Sequence, residues 1–180
     1  MNDKLQLILK LVDEYIQEKN ASKKWEARKD WVQYSGPHFD SSEYIRSIKT
    51  LLDGWLVLGS EAMEFERLFP PLFGKNYGIV TNSGSSSNLL MMLALTSKNW
   101  MGFGKGTKVI TPVAGFPTTL NPTIQLGFEP IFIDIEIDTL NIDVNQIEES
   151  VIKSGAKIIT FAHVLGNPPN MDKIMEIKKI

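Results

Sequence analysis

Ile79-Val80-Thr81-Asn82-Ser83-Gly84-Ser85-Ser86-Ser87-Asn88 puts small hydroxyl residues directly after a short apolar run. Leu89-Leu90-Met91-Met92-Leu93-Ala94-Leu95 follows, a helical stretch that is apolar nearly all round. A strand, turn and helix of this composition aim unpaired backbone N–H groups and serine hydroxyls at one point. That point is a helix N-terminus, where the dipole favours an anion. A phosphate held there would lie beyond the carboxyl end of a strand, where open α/β sheets bind ligands. The same residues would also serve as a plain cap for a buried helix, with Ser83 or Ser85 capping.

Two further loops follow apolar runs. Thr111-Pro112-Val113-Ala114-Gly115-Phe116-Pro117-Thr118-Thr119 offers Gly115 for close backbone approach and Pro117 for the first turn of a helix. Phe116 then sits at a strand's carboxyl end, where its ring can stack on a flat heterocycle or fill the core. His163-Val164-Leu165-Gly166-Asn167-Pro168 supplies a histidine suited to acid–base work or to a structural contact. His38 lies in a turn with no partner in view. The alternation Asp134-Ile135-Glu136-Ile137-Asp138 lacks an accompanying His or Cys and reads as a solvated edge, not a metal site. Gly102-Phe103-Gly104-Lys105-Gly106 precedes a strand, the wrong order for a dinucleotide-binding turn, and no G-x-x-x-x-G-K-[ST] is present.

The elements that must position these loops follow a rhythm. Apolar or β-branched runs at 78–81, 107–111, 130–135 and 157–162 alternate with helical patterns at 85–97, 117–126 and 143–153. That alternation predicts βαβ units and a mainly parallel sheet. Asp143-Val144-Asn145-Gln146 resembles a capping box. Upstream, Leu5, Ile8, Leu9, Val12, Tyr15 and Ile16 form a helical stripe within Met1–Asn20. Residues 20–24 read as a connector, and 31–37 as an extended arm ending in a turn. Asp40-Ser41-Ser42-Glu43 caps a second helix up to Gly54, and a third runs from Ser60 to Phe69, stopped by Pro70-Pro71. The last helical pattern, from Met171, is followed by no strand, so the chain reads as part of a larger domain.

Bulk composition narrows the classes. At 180 residues, 43% apolar and 22% charged, the chain can bury a sizeable core. A formal charge of −2 with scattered basic residues argues against nucleic acid or an anionic membrane as partner. The absence of cysteine excludes a disulfide framework, a thiolate nucleophile and Cys-ligated metal within this chain. Charges interrupt the amino-terminal stripe, so it is neither signal peptide nor membrane span, and a soluble cytoplasmic protein is expected.

Asn82-Ser83-Gly84-Ser85-Ser86-Ser87-Asn88-Leu89-Leu90, Ala114-Gly115-Phe116-Pro117-Thr118-Thr119 and His163-Val164-Leu165-Gly166-Asn167-Pro168 occur in this order. Together they resemble the DegT/DnrJ/EryC1/StrS family of pyridoxal-phosphate-dependent sugar enzymes. The Gly-Phe-Pro-Thr-Thr and Leu-Gly-Asn-Pro wording most resembles its CDP-4-keto-6-deoxyglucose 3-dehydrase branch. Tyr34-Ser35-Gly36 and Leu52-Asp53-Gly54-Trp55-Leu56 resemble that branch's entry arm. The resemblance covers about residues 30–180. It implies a three-layer α/β fold of aminotransferase type I, with 1–29 as an amphipathic helix and connector before the cofactor-binding large domain, incomplete at the C-terminus.

By position, the resemblance implies that Gly84, Ser85 and Ser86 cradle the phosphate of pyridoxal or pyridoxamine 5′-phosphate, with Phe116 stacked on its ring. His163 and Asn167 fall in a cofactor-side loop with no assigned step. Tyr34 and Ser35 approach the substrate or a partner subunit. It further implies a homodimer with shared active sites, acting on a nucleotide-linked 4-keto-6-deoxysugar in deoxysugar and polysaccharide biosynthesis. The reaction is 3-dehydration, with amine transfer as the alternative. The catalytic Lys or His, the acid facing the pyridine nitrogen, and any iron–sulfur cysteines are expected downstream of this chain. Two readings outside enzymology stay open: a non-catalytic module that binds a phosphorylated small molecule, and an inert fragment with an unpaired sheet edge. Incubating the 180-residue chain with cofactor and a keto-sugar nucleotide is therefore expected to give no turnover. Robust product formation would overturn that expectation.

Overall fold

The computed structural model describes residues 3–22, 24–33 and 35–179, in two compact units, Met1–Val80 and Thr81–Ile180. In the first, the amino-terminal stripe becomes helix α1 (Asp3–Ser22), with Ile16 buried. Helix α2 (Ser41–Leu52) begins at a reciprocal cap. Asp40 Oδ1 accepts the Ser42 N–H at 2.7 Å, and Glu43 Oε2 accepts the Asp40 N–H at 2.8 Å. Helix α3 (Ser60–Leu68) ends ahead of Pro70-Pro71, as expected, but the prolines continue into a short 3-10 turn over Pro70–Phe73. Their fixed φ suits the start of such a turn, and Gly74, at φ 63°, closes it. α1 packs against α2, and Asn20 Nδ2 donates to the Phe39 carbonyl at 3.3 Å. Arg46 reaches from α2 to Glu61 at 3.4 Å and Glu64 at 2.9 Å on α3. These exposed pairs contribute at most about 1 kcal/mol each.

The run 78–81, expected as the first strand, forms none. A strand exists through its ladder, and no described segment pairs with this one. The Val80 N–H donates instead to Glu66 Oε1 at 2.8 Å, and Ile79 is 74% exposed.

The second unit opens with helix α4 (Gly84–Ala94). Strand β1 (Lys108–Pro112), helix α5 (Pro117–Gln125), strand β2 (Glu129–Ile133), helix α6 (Val144–Ser154), strand β3 (Ile158–Ile159) and helix α7 (Met171–Ile177) follow. β1 lies between β2 and β3, parallel to both, with Val109 opposite Pro130 and Ile158. Pro130 has no N–H to give a further neighbour, which suits β2 to a sheet edge. The run 157–162 makes a ladder only at 158–159, although the Thr160 N–H still reaches the Ile110 carbonyl at 2.9 Å.

Successive strand residues point to opposite faces. Val109 enters a cluster with Met92 of α4 and Phe128. Ile110 enters another with Ile133, Ile142, Ile147 of α6 and Ile174 of α7. One central strand thus feeds two cores, with helices on either side: three layers. All-round apolarity predicts that α4 is buried on every side, but only Met92 is. Leu89, Leu90, Met91 and Leu93 stay 37–56% exposed, because full burial needs neighbours on every flank. Among the described residues no helix is long and apolar enough to cross a membrane.

The cap of α6 departs from the reciprocal pattern. Asp143 Oδ1 accepts the Asn145 N–H at 2.9 Å, and Oδ2 accepts from Gln146 Nε2 at 2.7 Å. The Asp143 N–H goes to the Asp134 carbonyl at 3.0 Å, beside the antiparallel bridge Ile135–Ile142, so Gln146 cannot take it. The Gln146 hydrogen bond, helped by those from Asn145, holds the Asp143 carboxyl below its ordinary range against partial burial. A depressed folded-state value means the stabilisation is complete above the unfolded value, about 3.9, and is lost as pH falls through the folded one. Asp143→Ala is expected to lower stability by about 1 kcal/mol near pH 7. In urea unfolding the gap between variant and parent should narrow as pH falls below the unfolded value. A gap that stays constant with pH would show that the carboxylate charge is not involved.

Candidate functional site

The hydroxyl turn before α4 is held by its own side chains. Ser83, extended at φ −164°, is the N-cap, and its Oγ accepts the Ser86 N–H at 3.2 Å. Its carbonyl accepts the Thr81 hydroxyl at 2.8 Å and the Ser87 N–H at 3.0 Å. The Thr81 and Ser87 hydroxyls lie 2.6 Å apart. Capping therefore falls to Ser83, and Ser85 is left out of it. The N–H groups of Gly84 and Ser85 and the Ser85 hydroxyl meet no acceptor among the described residues, and both residues are exposed. No acidic side chain stands in this first turn, whereas α2 has Glu43 there. A Cβ built on Gly84 would meet nothing within 4 Å, so there is open room beside these amides. An anion is the complement they lack.

Ser85 and Ser86 also face a groove of about 190 Å³ that Leu89, Thr118, Asn121 and Pro122 complete. Asn88 Nδ2 ties α4 to this wall by donating to the Thr118 carbonyl at 3.2 Å.

Two residues before Thr118, Phe116 is the N-cap of α5 and donates no side-chain bond. Pro117 keeps it extended at ψ 139°. It is 69% exposed, which rules out a core role within its own unit. Its ring lines a cleft of about 350 Å³ with Gly115, Leu140, His163, Val164 and Leu165. The His163 ring stacks on Phe161, centroids 6.0 Å apart. All three strand-end loops of the sheet thus contribute to one cleft.

The expected site residues are gathered unequally. Phe116 and His163 share the cleft, while Ser85 and Ser86 face the neighbouring groove; the loop 116–119 borders both. Asn167 lies on neither lining; its backbone is what is held, with its N–H donating to the Val164 carbonyl at 3.0 Å and its carbonyl accepting from Asn141. Ser35 is exposed in an irregular stretch of the first unit, and Tyr34 lies outside the described residues. Of the alternating acids, Asp134 Oδ1 accepts the Ile135 N–H at 2.8 Å and Glu136 Oε2 accepts the Thr139 hydroxyl at 3.0 Å.

Asn141 escaped the sequence reading. Its side chain donates to the Asn167 carbonyl at 3.0 Å and accepts the Val164 N–H at 3.1 Å, and it is fully buried. Strand-like alternation of buried Ile142 and Val144 would turn Asn141 outward, so periodicity hides it. Leu140 and Leu165, also missed, adopt left-handed φ of 58° and 51°. That conformation costs a non-glycine residue about 1–2 kcal/mol and marks a backbone held by its surroundings. Nothing in a leucine codon position announces it.

Comparison with known proteins identifies relatives of the chain. The chain is 38% identical over 178 residues to the lipopolysaccharide biosynthesis protein RfbH of Salmonella typhimurium, covering 98% of this chain and 40% of that protein. It is 37% identical over 140 residues to the GDP-4-keto-6-deoxy-D-mannose 3-dehydratase of Escherichia coli O55:H7, covering 77% of this chain and 36% of that one. The solved E. coli GDP-4-keto-6-deoxy-D-mannose 3-dehydratase with bound hydrated PLP superposes with a TM-score of 0.72 at 36% identity. That superposition covers 80% of this chain and 37% of the solved one. The chain thus spans about 40% or less of the length of these relatives. The model of the DegT/DnrJ/EryC1/StrS aminotransferase family matches residues 39–179, and the chain belongs to that family.

Proposed function

We propose that this chain supplies the phosphate-binding and ring-binding part of a pyridoxal- or pyridoxamine-phosphate-dependent enzyme. Its substrate is a nucleotide-linked 4-keto-6-deoxysugar, which it dehydrates at C3. The observation that carries the reading is the α4 N-terminus. Two adjacent amides and the Ser85 hydroxyl stand without an acceptor, and an exposed aromatic plate lies across the loop 116–119. Dehydration is preferred to amine transfer because relatives at 37% identity are named 3-dehydratases. Residues 30–180 are assigned to the cofactor-binding large domain, with 1–29 as its preceding helix and connector, and the assembly is a homodimer.

In this reading the Gly84 and Ser85 amides, with the Ser85 and Ser86 hydroxyls, hold the phosphate dianion. The helix dipole adds a favourable field, and no carboxylate in the turn opposes it. Phe116 covers one face of the ring and keeps water from it. His163 stands at the cleft wall as a proton-handling group, steadied by Phe161. Asn167 serves through its carbonyl, which keeps that loop in place. Tyr34 and Ser35 are assigned to the substrate side. When bound, the cofactor supplies an electron sink for loss of the sugar hydroxyl.

Titration of the chain with inorganic phosphate and with pyridoxamine 5′-phosphate tests the assignment. Ser85→Asp puts a carboxylate where the dipole welcomes it, so the fold is kept while the anion is repelled. Both ligands should bind the parent chain and lose at least about tenfold in affinity with Ser85→Asp. Absence of binding to the parent chain would refute the cradle. Phe116→Leu should weaken pyridoxamine 5′-phosphate by about fivefold and leave inorganic phosphate unchanged. Equal losses for the two ligands would show that the ring does not stack there.

A further inference from the structure

Asn141 is the only side chain described here that bonds to the backbone at both ends of one strand-end loop in this unit, Val164 near its start and Asn167 at its end. Its own backbone is equally committed. The Asn141 N–H donates to Thr139 Oγ1 at 3.2 Å, and its carbonyl accepts the Glu136 N–H at 2.9 Å. The residue therefore joins the turn after β2 to the loop after β3, and its own side chain is fully buried there. Among the described residues, three that are not glycine have left-handed φ: Arg28, Leu140 and Leu165. Two of those three lie on the wall of the Phe116 cleft, one directly before Asn141 and one directly after the Val164 amide that it holds.

We propose that Asn141 is a positioning residue for ring binding. It keeps Leu140 and Leu165 in their strained backbone conformations, so that both line the cleft that the exposed ring of Phe116 also lines. The inference rests on the cofactor reading above and extends it to a residue that touches neither phosphate nor ring. The carbonyl and amide it bonds both belong to the loop after β3, while Asn141 itself stands on the turn after β2, so its side chain is a hydrogen-bonded bridge between the two. Without it, the two loops keep their internal backbone bonds but lose the side-chain bridge that sets them against each other, and the cleft wall loosens. The phosphate groove is built from α4 and α5 and shares no hydrogen bond with Asn141 among the described residues. The two ends of the ligand should therefore respond differently.

The test is made on the 180-residue chain with inorganic phosphate and pyridoxamine 5′-phosphate as probes, together with amide hydrogen exchange. In the unmutated chain the Val164 amide should exchange at least about a hundredfold more slowly than the amide of exposed Leu165. Asn141→Ala should weaken pyridoxamine 5′-phosphate by about tenfold while inorganic phosphate stays within about twofold. A role in stability alone would move both ligands together, and that result overturns the proposal, as does unchanged binding of both. If Asn141→Ala fails to fold, Leu165→Gly decides, because glycine accepts the left-handed φ and removes only the wall. It should reproduce the ring-selective loss; no loss overturns the proposal. An unmutated chain that binds phosphate but not pyridoxamine 5′-phosphate defeats the cofactor reading itself. A chain that binds both, with a rapidly exchanging Val164 amide, defeats only the role of Asn141.

Discussion

Parallel pairing of β1 with both β2 and β3 is the constraint on which the second unit depends. Parallel strands send their carboxyl ends to the same edge, so the segments after Pro112, Ile133 and Ile159 must leave the sheet side by side. The cleft follows directly, because each of those segments supplies part of its wall. The same strand also organises the interior. With Val109 and Ile110 fully buried on opposite faces, helices are required on both sides to cover them. Burying side chains of this size contributes about 1.5–3 kcal/mol each, more than any single surface contact in the unit.

At the sheet edge the polar groups divide into those that maintain the backbone and those left over. Thr81, Ser83 and Ser87 satisfy one another around the start of α4, and Asn141 satisfies the loop 163–167. At the first turn of α4 the Gly84 and Ser85 amides and the Ser85 hydroxyl are left without an acceptor among the described residues. A folded chain rarely leaves adjacent donors without acceptors unless water or a ligand takes them. These are the atoms to which the proposed function assigns the cofactor phosphate.

Much of this was legible in the order of residues. Caps at Asp40 and Asp143, the helical stripes, the three small-residue loops and the family itself were all visible without coordinates. Each depends on neighbours within a few positions, which is the range over which caps, turns and periodicity act. The segment 78–81 shows where that reasoning stops. Its residues suit a strand, but a ladder is made by a partner that local composition does not name. The apolar circumference of α4 likewise states a preference for burial without saying which flank is covered.

The amino-acid sequence alone determined the helices, three of the four expected strands and their alternation, and that glycine and phenylalanine stand at a strand's end and serines at the start of α4. Tertiary structure decided which of these residues face one another. It placed Phe116 with His163 in one cleft and Ser85 with Thr118 in another. It drew Asn167 away from both linings and buried Asn141, which no motif or periodicity had singled out. The reason is that local periodicity describes a side chain's direction relative to its own backbone. Contact across the sheet edge depends on register and on hydrogen bonds between residues more than twenty positions apart.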